Sequence, residues 1–236
     1  MLDQHIVRRT LLLGGIGAVA AAGLVGPGAA SANADSCPDV QVVFARGTAE
    51  PAGLGREGQA FVDDLRSDLG SQSVVASAVN YPASYDFLQS APAGASDASA
   101  QVQGIANSCP NTKIVLGGYS QGAAVVDLIA GDPAQTFGFG QPMPADVANH
   151  VAAVAVFGNP AGHIGKNLAT SSPLYGAKTI DLCNGGDPIC SGGDDRAAHS
   201  QYVESGLVSQ GASFAAGRLS GDAPSNPVID ASSTVG

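Results

Sequence analysis

Residues 113–129, K-I-V-L-G-G-Y-S-Q-G-A-A-V-V-D-L-I, constrain this chain more than any other stretch. A short apolar run at 114–116 meets a helix-period pattern at Ala123, Val126 and Ile129 through Gly118-Tyr119-Ser120-Gln121-Gly122. G-x-S-x-G between a strand and a helix is the signature of a nucleophile elbow, which holds a serine at the apex of a tight turn. Glycines two residues before and after the serine leave room where a Cβ would collide with the neighbouring strand or helix. The serine also falls at a helix N-terminus, where free N–H groups and the dipole favour a developing negative charge. The bland alternative is a glycine-rich connection whose serine only caps the helix. The strand before and the helix after supply the context that an elbow requires.

The rest of the chain repeats this alternation. Residues 40–45, 74–79, 113–119, 151–157 and 179–182 read as strands; 57–69, 96–108, 121–130 and 200–219 read as helices. In the first helix Ala60, Phe61 and Leu65 fall on the inner face. Strands separated by helices of this length predict a parallel sheet covered on both faces, a three-layer α/β sandwich. No internal repeat and no second domain are visible. Residues 35–219 are expected to form one domain, and 220–236, rich in Ser, Pro and Gly, a flexible tail.

Residues 1–34 read as a removable leader. Arg8 and Arg9 form a positive start, 11–25 is apolar with interspersed glycines, and Ala32-Asn33-Ala34 supplies a cleavage site. The apolar stretch is short for a membrane span and lacks a stop-transfer flank, so the processed chain is expected to have no integral span. The paired arginines also fit twin-arginine export as an alternative to the general route. Either way the destination is secreted, extracellular or the cell envelope. The formal charge of −10 becomes −11 once Arg8, Arg9 and Asp3 leave with the leader. Such an acidic, weakly charged chain excludes nucleic-acid binding and argues against electrostatic docking on anionic lipid, though not against hydrophobic contact with a lipid interface. A monomer is expected.

Export implies an oxidising compartment, where four cysteines are most simply two disulfides. Counting alone allows three pairings. Cys183 and Cys190 are close enough in sequence to close a small loop, which would leave Cys37 to find Cys109. A metal site is disfavoured, because no cysteine pair has C-x-x-C spacing and no histidine cluster accompanies them. Neither metal nor cofactor is expected.

In a parallel sheet with helices on both faces, the site lies beyond the carboxyl ends of the strands. Only loops that leave a strand can therefore reach Ser120, namely 47–55, 80–95, 158–178 and 183–199. The segment 131–149 enters a strand and should lie at the opposite pole, its Phe137, Phe139 and Met143 forming a local patch. A serine nucleophile needs a base, and the base needs a carboxylate to fix its tautomer. Of the four histidines, His5 leaves with the leader and His150 lies at the wrong pole. The order Ser, acid, His then selects between His163 and His199. The acids before His163, which are Asp127, Asp132 and Asp146, lie in the post-elbow helix or the wrong-pole loop. For His199 there is Asp187, between Cys183 and Cys190 in a loop leaving the last strand; Asp181 lies within that strand, and Asp194 and Asp195 in a glycine-rich turn. The expected triad is Ser120, Asp187 and His199.

These residues carry a family resemblance. C-P-D-V-Q-V-V-F-A-R-G-T-A-E, G-G-Y-S-Q-G-A and C-N-G-G-D-P-I-C, followed by His199, resemble the cutinase family of secreted serine esterases, particularly its actinobacterial cutinase-like branch, over residues 37–219. The resemblance implies a lidless α/β hydrolase, a three-layer α/β/α sandwich with a five-stranded parallel central sheet. It implies the same triad, bridges Cys37–Cys109 and Cys183–Cys190, and an oxyanion hole from the backbone N–H groups of Thr48 and Gln121. A Thr48 hydroxyl can add a third hydrogen bond. The implied partner is an ester substrate, whether acyl ester, lipid or polyester, cleaved through an acyl-enzyme. An acetylxylan-type esterase or phospholipase on the same scaffold, or a non-catalytic secreted envelope protein, are the alternatives. Tyr81, Tyr85, Phe87 and Leu88 on one side, and Ile164, Leu168, Leu174 and Tyr175 on the other, are candidates for an apolar groove. Each has a place in the core as its alternative.

Overall fold

The computed structural model describes residues 37–132 and 142–221. The chain divides at Ser36, and the described residues belong to the larger unit, Cys37–Gly236. The expected leader, Phe137, Phe139 and most of the expected tail lie outside the described residues.

Five strands form one parallel sheet: β1 (Val40–Ala45), β2 (Val74–Ala78), β3 (Lys113–Tyr119), β4 (Val151–Phe157) and β5 (Thr179–Leu182), in the order β2-β1-β3-β4-β5. Alternation along the strands assigns the two faces. Val43, Ala45, Ile114, Leu116, Val154 and Val156 meet helices α2 (Phe87–Ser108) and α3 (Gln121–Ala130). Val42, Phe44, Val115, Ala153, Ala155 and Phe157 meet α1 (Gly55–Leu69) and α6 (Leu207–Ser220). Because both faces are covered, the strands read as nearly unbroken apolar runs. Phe44, Phe61 and Phe157 anchor the second face, with ring centroids 5.9, 6.0 and 6.5 Å apart.

The chain leaves β1 for one edge of the sheet and leaves β3 for the other. The carboxyl ends of these adjacent strands therefore flank a topological switch point, where a parallel sheet opens a crevice. The loop after β1 carries Thr48, and the turn after β3 carries Ser120.

Three boundaries differ from the sequence reading. Helix α2 begins at Phe87 rather than at 96 and carries Pro92 inside it. The run Q-S-A-P-A-G-A reads as a loop by composition, but Ala91, Ala95 and Ala98 are buried in the core, and Gly94 lets Val125 of α3 and Tyr81 approach closely. Packing of small residues outweighs the missing proline donor. At the other end, 200–219 is not one helix. A short 3-10 turn, Ala198–Ser200, is followed by irregular chain and then Gly206 at φ 76°, a left-handed conformation that suits glycine, before α6 starts. Finally, the 158–178 loop holds two one-turn helices, α4 (Pro160–His163) and α5 (Leu168–Ser171), capped by Asn159 and Asn167 side chains that accept from N–H groups two residues on. Among the described residues of 131–149, Met143 and Val147 are buried and the segment leads into the amino end of β4. No helix of the described residues is long and apolar enough to cross a membrane.

Candidate active site

The turn from β3 into α3 places Ser120 at φ 55° and ψ −117°, a conformation few non-glycine residues adopt. It is secured on both sides. Ser120 N–H donates to Phe157 O at 2.9 Å, extending the β3–β4 ladder, and Ala123 N–H donates to Ser120 O at 2.9 Å, starting the helix. The flanking glycines meet backbone: a Cβ on Gly118 would lie 2.3 Å from Gly122 O, and one on Gly122 would lie 1.9 Å from Ala45 O.

His199, on the 3-10 turn after β5, places Nε2 2.9 Å from Ser120 Oγ and Nδ1 2.8 Å from Asp187 Oδ2. Asp187 is wholly buried, and its Oδ1 accepts from Ile189 N–H at 2.8 Å. Burial pushes its pKa up, but hydrogen bonds from His199, Tyr202 and Ile189 N–H outweigh this and hold the carboxyl below its usual range. An ionised Asp187 only accepts, so Nδ1 carries the imidazole proton and Nε2 offers its lone pair to the serine hydroxyl. The loop that carries Asp187 is closed by the Cys183–Cys190 disulfide, and Cys37–Cys109 joins the segment before β1 to the end of α2. Tyr119 stacks on the imidazole, ring centroids 5.1 Å apart, and donates its hydroxyl to His199 O at 2.5 Å.

The sequence model of the family described as Cutinase matches residues 36–219. The chain belongs to the cutinase family. It is 52% identical over 198 residues to Carboxylesterase Culp1 of Mycobacterium tuberculosis, covering 81% of this chain and 87% of that protein. It is 50% identical over 196 residues to Phospholipase Culp4 of the same organism, covering 83% and 85%. Among solved structures it resembles the Trichoderma reesei cutinase in complex with a phosphonate inhibitor, at 35% identity and TM-score 0.62, covering 78% of each chain.

In this cutinase-family chain the loop after β1 is built around Arg46 and Glu50. Buried Arg46 donates from Nε to Glu50 O at 2.9 Å and from a terminal nitrogen to Tyr81 O at 2.9 Å. The Glu50 carboxylate accepts from the N–H groups of Gly47 at 2.6 Å and Arg56 at 2.8 Å. Two alanines at positive φ, Ala49 at 62° and Ala83 at 48°, are joined by Ala49 N–H donating to Ala83 O at 2.7 Å. The Gln121 side chain, buried under this arch, donates to Thr48 Oγ1 at 3.2 Å and Ser84 O at 2.7 Å and accepts from Ser90 Oγ at 2.7 Å. Thr48 and Gln121 therefore stand beside Ser120 as one hydrogen-bonded unit. The Gln121 N–H, first of α3, belongs to the turn whose donors have no partner within the helix.

A cavity of about 680 Å³ opens over Ser120, lined by Tyr85, Phe87, Pro160, His163, Pro188 and Ile189 around the polar groups just described. Tyr85 and Phe87 stand at its mouth edge to face, 76% and 52% exposed. Six of the eight groove candidates do not line this cavity, Leu88 and Ile164 among them as exposed side chains. Tyr81 is buried beneath α2, its ring under the Arg46 guanidinium and its hydroxyl on Arg46 O, so it supports the loop rather than lining the cavity. Leu174 lies with Pro142, Met143 and Pro173 around a separate cavity of about 170 Å³. Leu168 and Tyr175 are core residues. Pro160, Pro188 and Ile189 had no signal in the sequence beyond lying in loops of the correct polarity. His163, passed over as a base, lines the cavity and places Nδ1 on Ser191 O. Among the described residues no group of three or more His, Cys, Asp or Glu is placed to hold a metal ion.

Asp181, the strand acid set aside as a triad member, accepts from Asn159 Nδ2 at 3.0 Å and Leu168 N–H at 2.9 Å, and the same amide reaches Asp127 at 3.3 Å. Burial pushes the Asp181 carboxyl up to about 6, and burial plus the facing Asp181 raises Asp127 well above its usual range. A carboxyl raised on folding binds protons more tightly in the native state, so stability falls as pH rises from about 4 through about 6. Asp181→Asn retains an acceptor for Leu168 N–H and removes the buried charge. It is expected to stabilise the protein by about 2 kcal/mol at pH 8 and by little at pH 4. Thermal melts at the two pH values check this, and equal shifts at both would contradict it.

Proposed function

We propose that this cutinase-family protein hydrolyses carboxylic esters through an acyl-enzyme formed on Ser120. The single observation that carries the reading is the continuous line Ser120 Oγ, His199 Nε2, His199 Nδ1, Asp187 Oδ2, with contacts of 2.9 and 2.8 Å. His199 takes the hydroxyl proton as Ser120 Oγ attacks the ester carbonyl carbon. The carbonyl oxygen gains the negative charge, and the backbone N–H groups of Thr48 and Gln121 receive it; removing one such donor costs about 3 kcal/mol. His199 then passes its proton to the departing alcohol, leaving an acyl-serine. Water, deprotonated by the same imidazole, repeats the attack and frees the acid. Asp187 stays ionised throughout and stabilises the imidazolium.

The apolar walls favour an acyl chain in the cavity, with Tyr85 and Phe87 at the entrance. Similarity to a carboxylesterase and to a phospholipase at nearly equal identity leaves both neutral and phosphate-bearing esters in the substrate class. Export by a leader cleaved after Ala34 is part of the proposal, supported by Arg8-Arg9, the apolar stretch and the A-x-A site, with residues 35–219 as the hydrolase domain. Labelling with a fluorophosphonate probe followed by peptide mapping tests the mechanism: the label is expected on Ser120, and an unlabelled protein would refute it. A panel of acetyl to palmitoyl esters, a phospholipid and an acetylated xylan then ranks the substrates.

The Cys183–Cys190 bridge closes the short loop that carries Asp187 and contributes about 2 to 3 kcal/mol by chain entropy. Joint replacement of Cys183 and Cys190 by serine is expected to lower kcat at least about tenfold at a temperature where the protein remains folded. Full turnover in that variant would show that the clamp on Asp187 is dispensable.

A further inference from the structure

Tyr202 follows His199 by three residues and is completely buried. Its Oη lies 2.7 Å from Asp187 Oδ2, the same oxygen that receives the His199 Nδ1 proton at 2.8 Å. Cys190 Sγ, 3.3 Å from Oη, is in a disulfide and has no proton to give, so the direction of that hydrogen bond follows from the donor on the other side of the phenol. Asn184 N–H donates to Oη at 3.0 Å, and the Tyr202 proton is directed at the carboxylate, which only accepts. The ring is held by Phe157 at 6.2 Å, Tyr119 at 5.7 Å and the edge of His199 at 6.3 Å, centroid to centroid. Asp187 is thus fixed by Ile189 N–H on one oxygen and shared between phenol and imidazole on the other.

We propose that Tyr202 is a positioning residue of the hydrolytic site, a fourth member of the Ser120, His199 and Asp187 line that aims the carboxylate and moderates its hold on the His199 Nδ1 proton. The inference rests on the reading of Ser120 as nucleophile. A carboxylate that accepts from a phenol is less basic toward the imidazole, so it holds the Nδ1 proton less firmly and the cation formed during turnover is less stabilised. The other titratable groups in this neighbourhood are Tyr119, stacked on the imidazole, and Glu57, Glu50 and Arg56, which act on Tyr119.

Tyr202→Phe deletes one oxygen and keeps the packed ring. For p-nitrophenyl butyrate, kcat is expected to fall about tenfold with KM changed less than about twofold. The acid limb of kcat/KM is expected to move upward by about half a pH unit. Incorporation of 3-fluorotyrosine at position 202 keeps both hydrogen bonds with a stronger donor and is expected to move the limb downward. If Tyr202→Phe fails to fold, the fluorotyrosine protein decides alone. An acid limb at the wild-type position in every folded variant overturns the proposal. Ser120→Ala separates the two readings: turnover that survives it removes the site as a whole, whereas turnover lost there with an unmoved acid limb removes only the role of Tyr202.

Discussion

Ser120→Ala is expected to lower kcat for p-nitrophenyl butyrate by about five to six orders of magnitude, while the melting temperature changes by no more than a few degrees. The reason is local. The substitution removes only the atom proposed to attack, and the backbone at φ 55° is held by the Phe157 O and Ala123 N–H hydrogen bonds, which alanine retains. What survives is the apolar cavity and the N–H groups of Thr48 and Gln121 proposed as the oxyanion hole, which on this reading suffice for binding and some stabilisation of charge but not for an acyl-enzyme. His199→Ala is expected to cost a similar amount, and the double variant no more than either single one, because the proposed mechanism joins the two side chains, 2.9 Å apart, in one proton transfer. Steady-state kinetics on the three variants check this. An alanine variant that turns over at the wild-type rate would mean that another group attacks the ester.

Gly122→Ala should have the largest effect on folding, destabilising the protein by about 4 kcal/mol or more. Its Cβ would lie 1.9 Å from Ala45 O, 2.5 Å from Ala45 C and 2.7 Å from Arg46 O, and all of these are backbone atoms. Ala45 cannot give way, because β1 is paired to β2 on one side and to β3 on the other. Helix α3 would have to lift from the sheet, exposing Ala123, Val126 and Ile129 of the core. Gly104, in the same kind of helical setting on α2 but facing open space, supplies the contrast. Gly104→Ala is expected to stabilise by up to about 1 kcal/mol through helix propensity alone. Urea unfolding of both variants measures the difference. Gly122→Ala with a midpoint close to wild type would contradict the close approach of α3 to β1.

These two glycines also illustrate how far the sequence could be read. Hydrophobic strands buried on both faces leave long Val- and Ala-rich runs, and all five strands were legible to within a residue. The elbow was legible because Gly118 and Gly122 answer a local steric demand that recurs at fixed spacing from the serine. Asp187 and His199 followed from chain order and from which loops leave a strand, since a parallel sheet gathers those loops at one end. Helix α2 was less legible: its first two turns, F-L-Q-S-A-P-A-G, include proline and glycine, and only the face of α3 makes that stretch helical. The same limit explains the groove. Tyr81 and Tyr85 lie four residues apart in one loop, yet one is core and the other stands at the cavity mouth.

By itself the sequence determined the alternating architecture, the strand-to-helix turn at Ser120, the polarity of the loops and which carboxylate and imidazole stand in line with Ser120, because these depend on periodicity and on spacing along the chain. Only the tertiary structure decided which side chains support that line. Tyr202 on Asp187, Tyr119 on His199, Gln121 between Thr48 and Ser84, and Asn159 between Asp127 and Asp181 join segments 15 to 80 residues apart. Hydrogen-bond direction and burial settle these contacts, and neither is a property of a residue until the chain has closed around it.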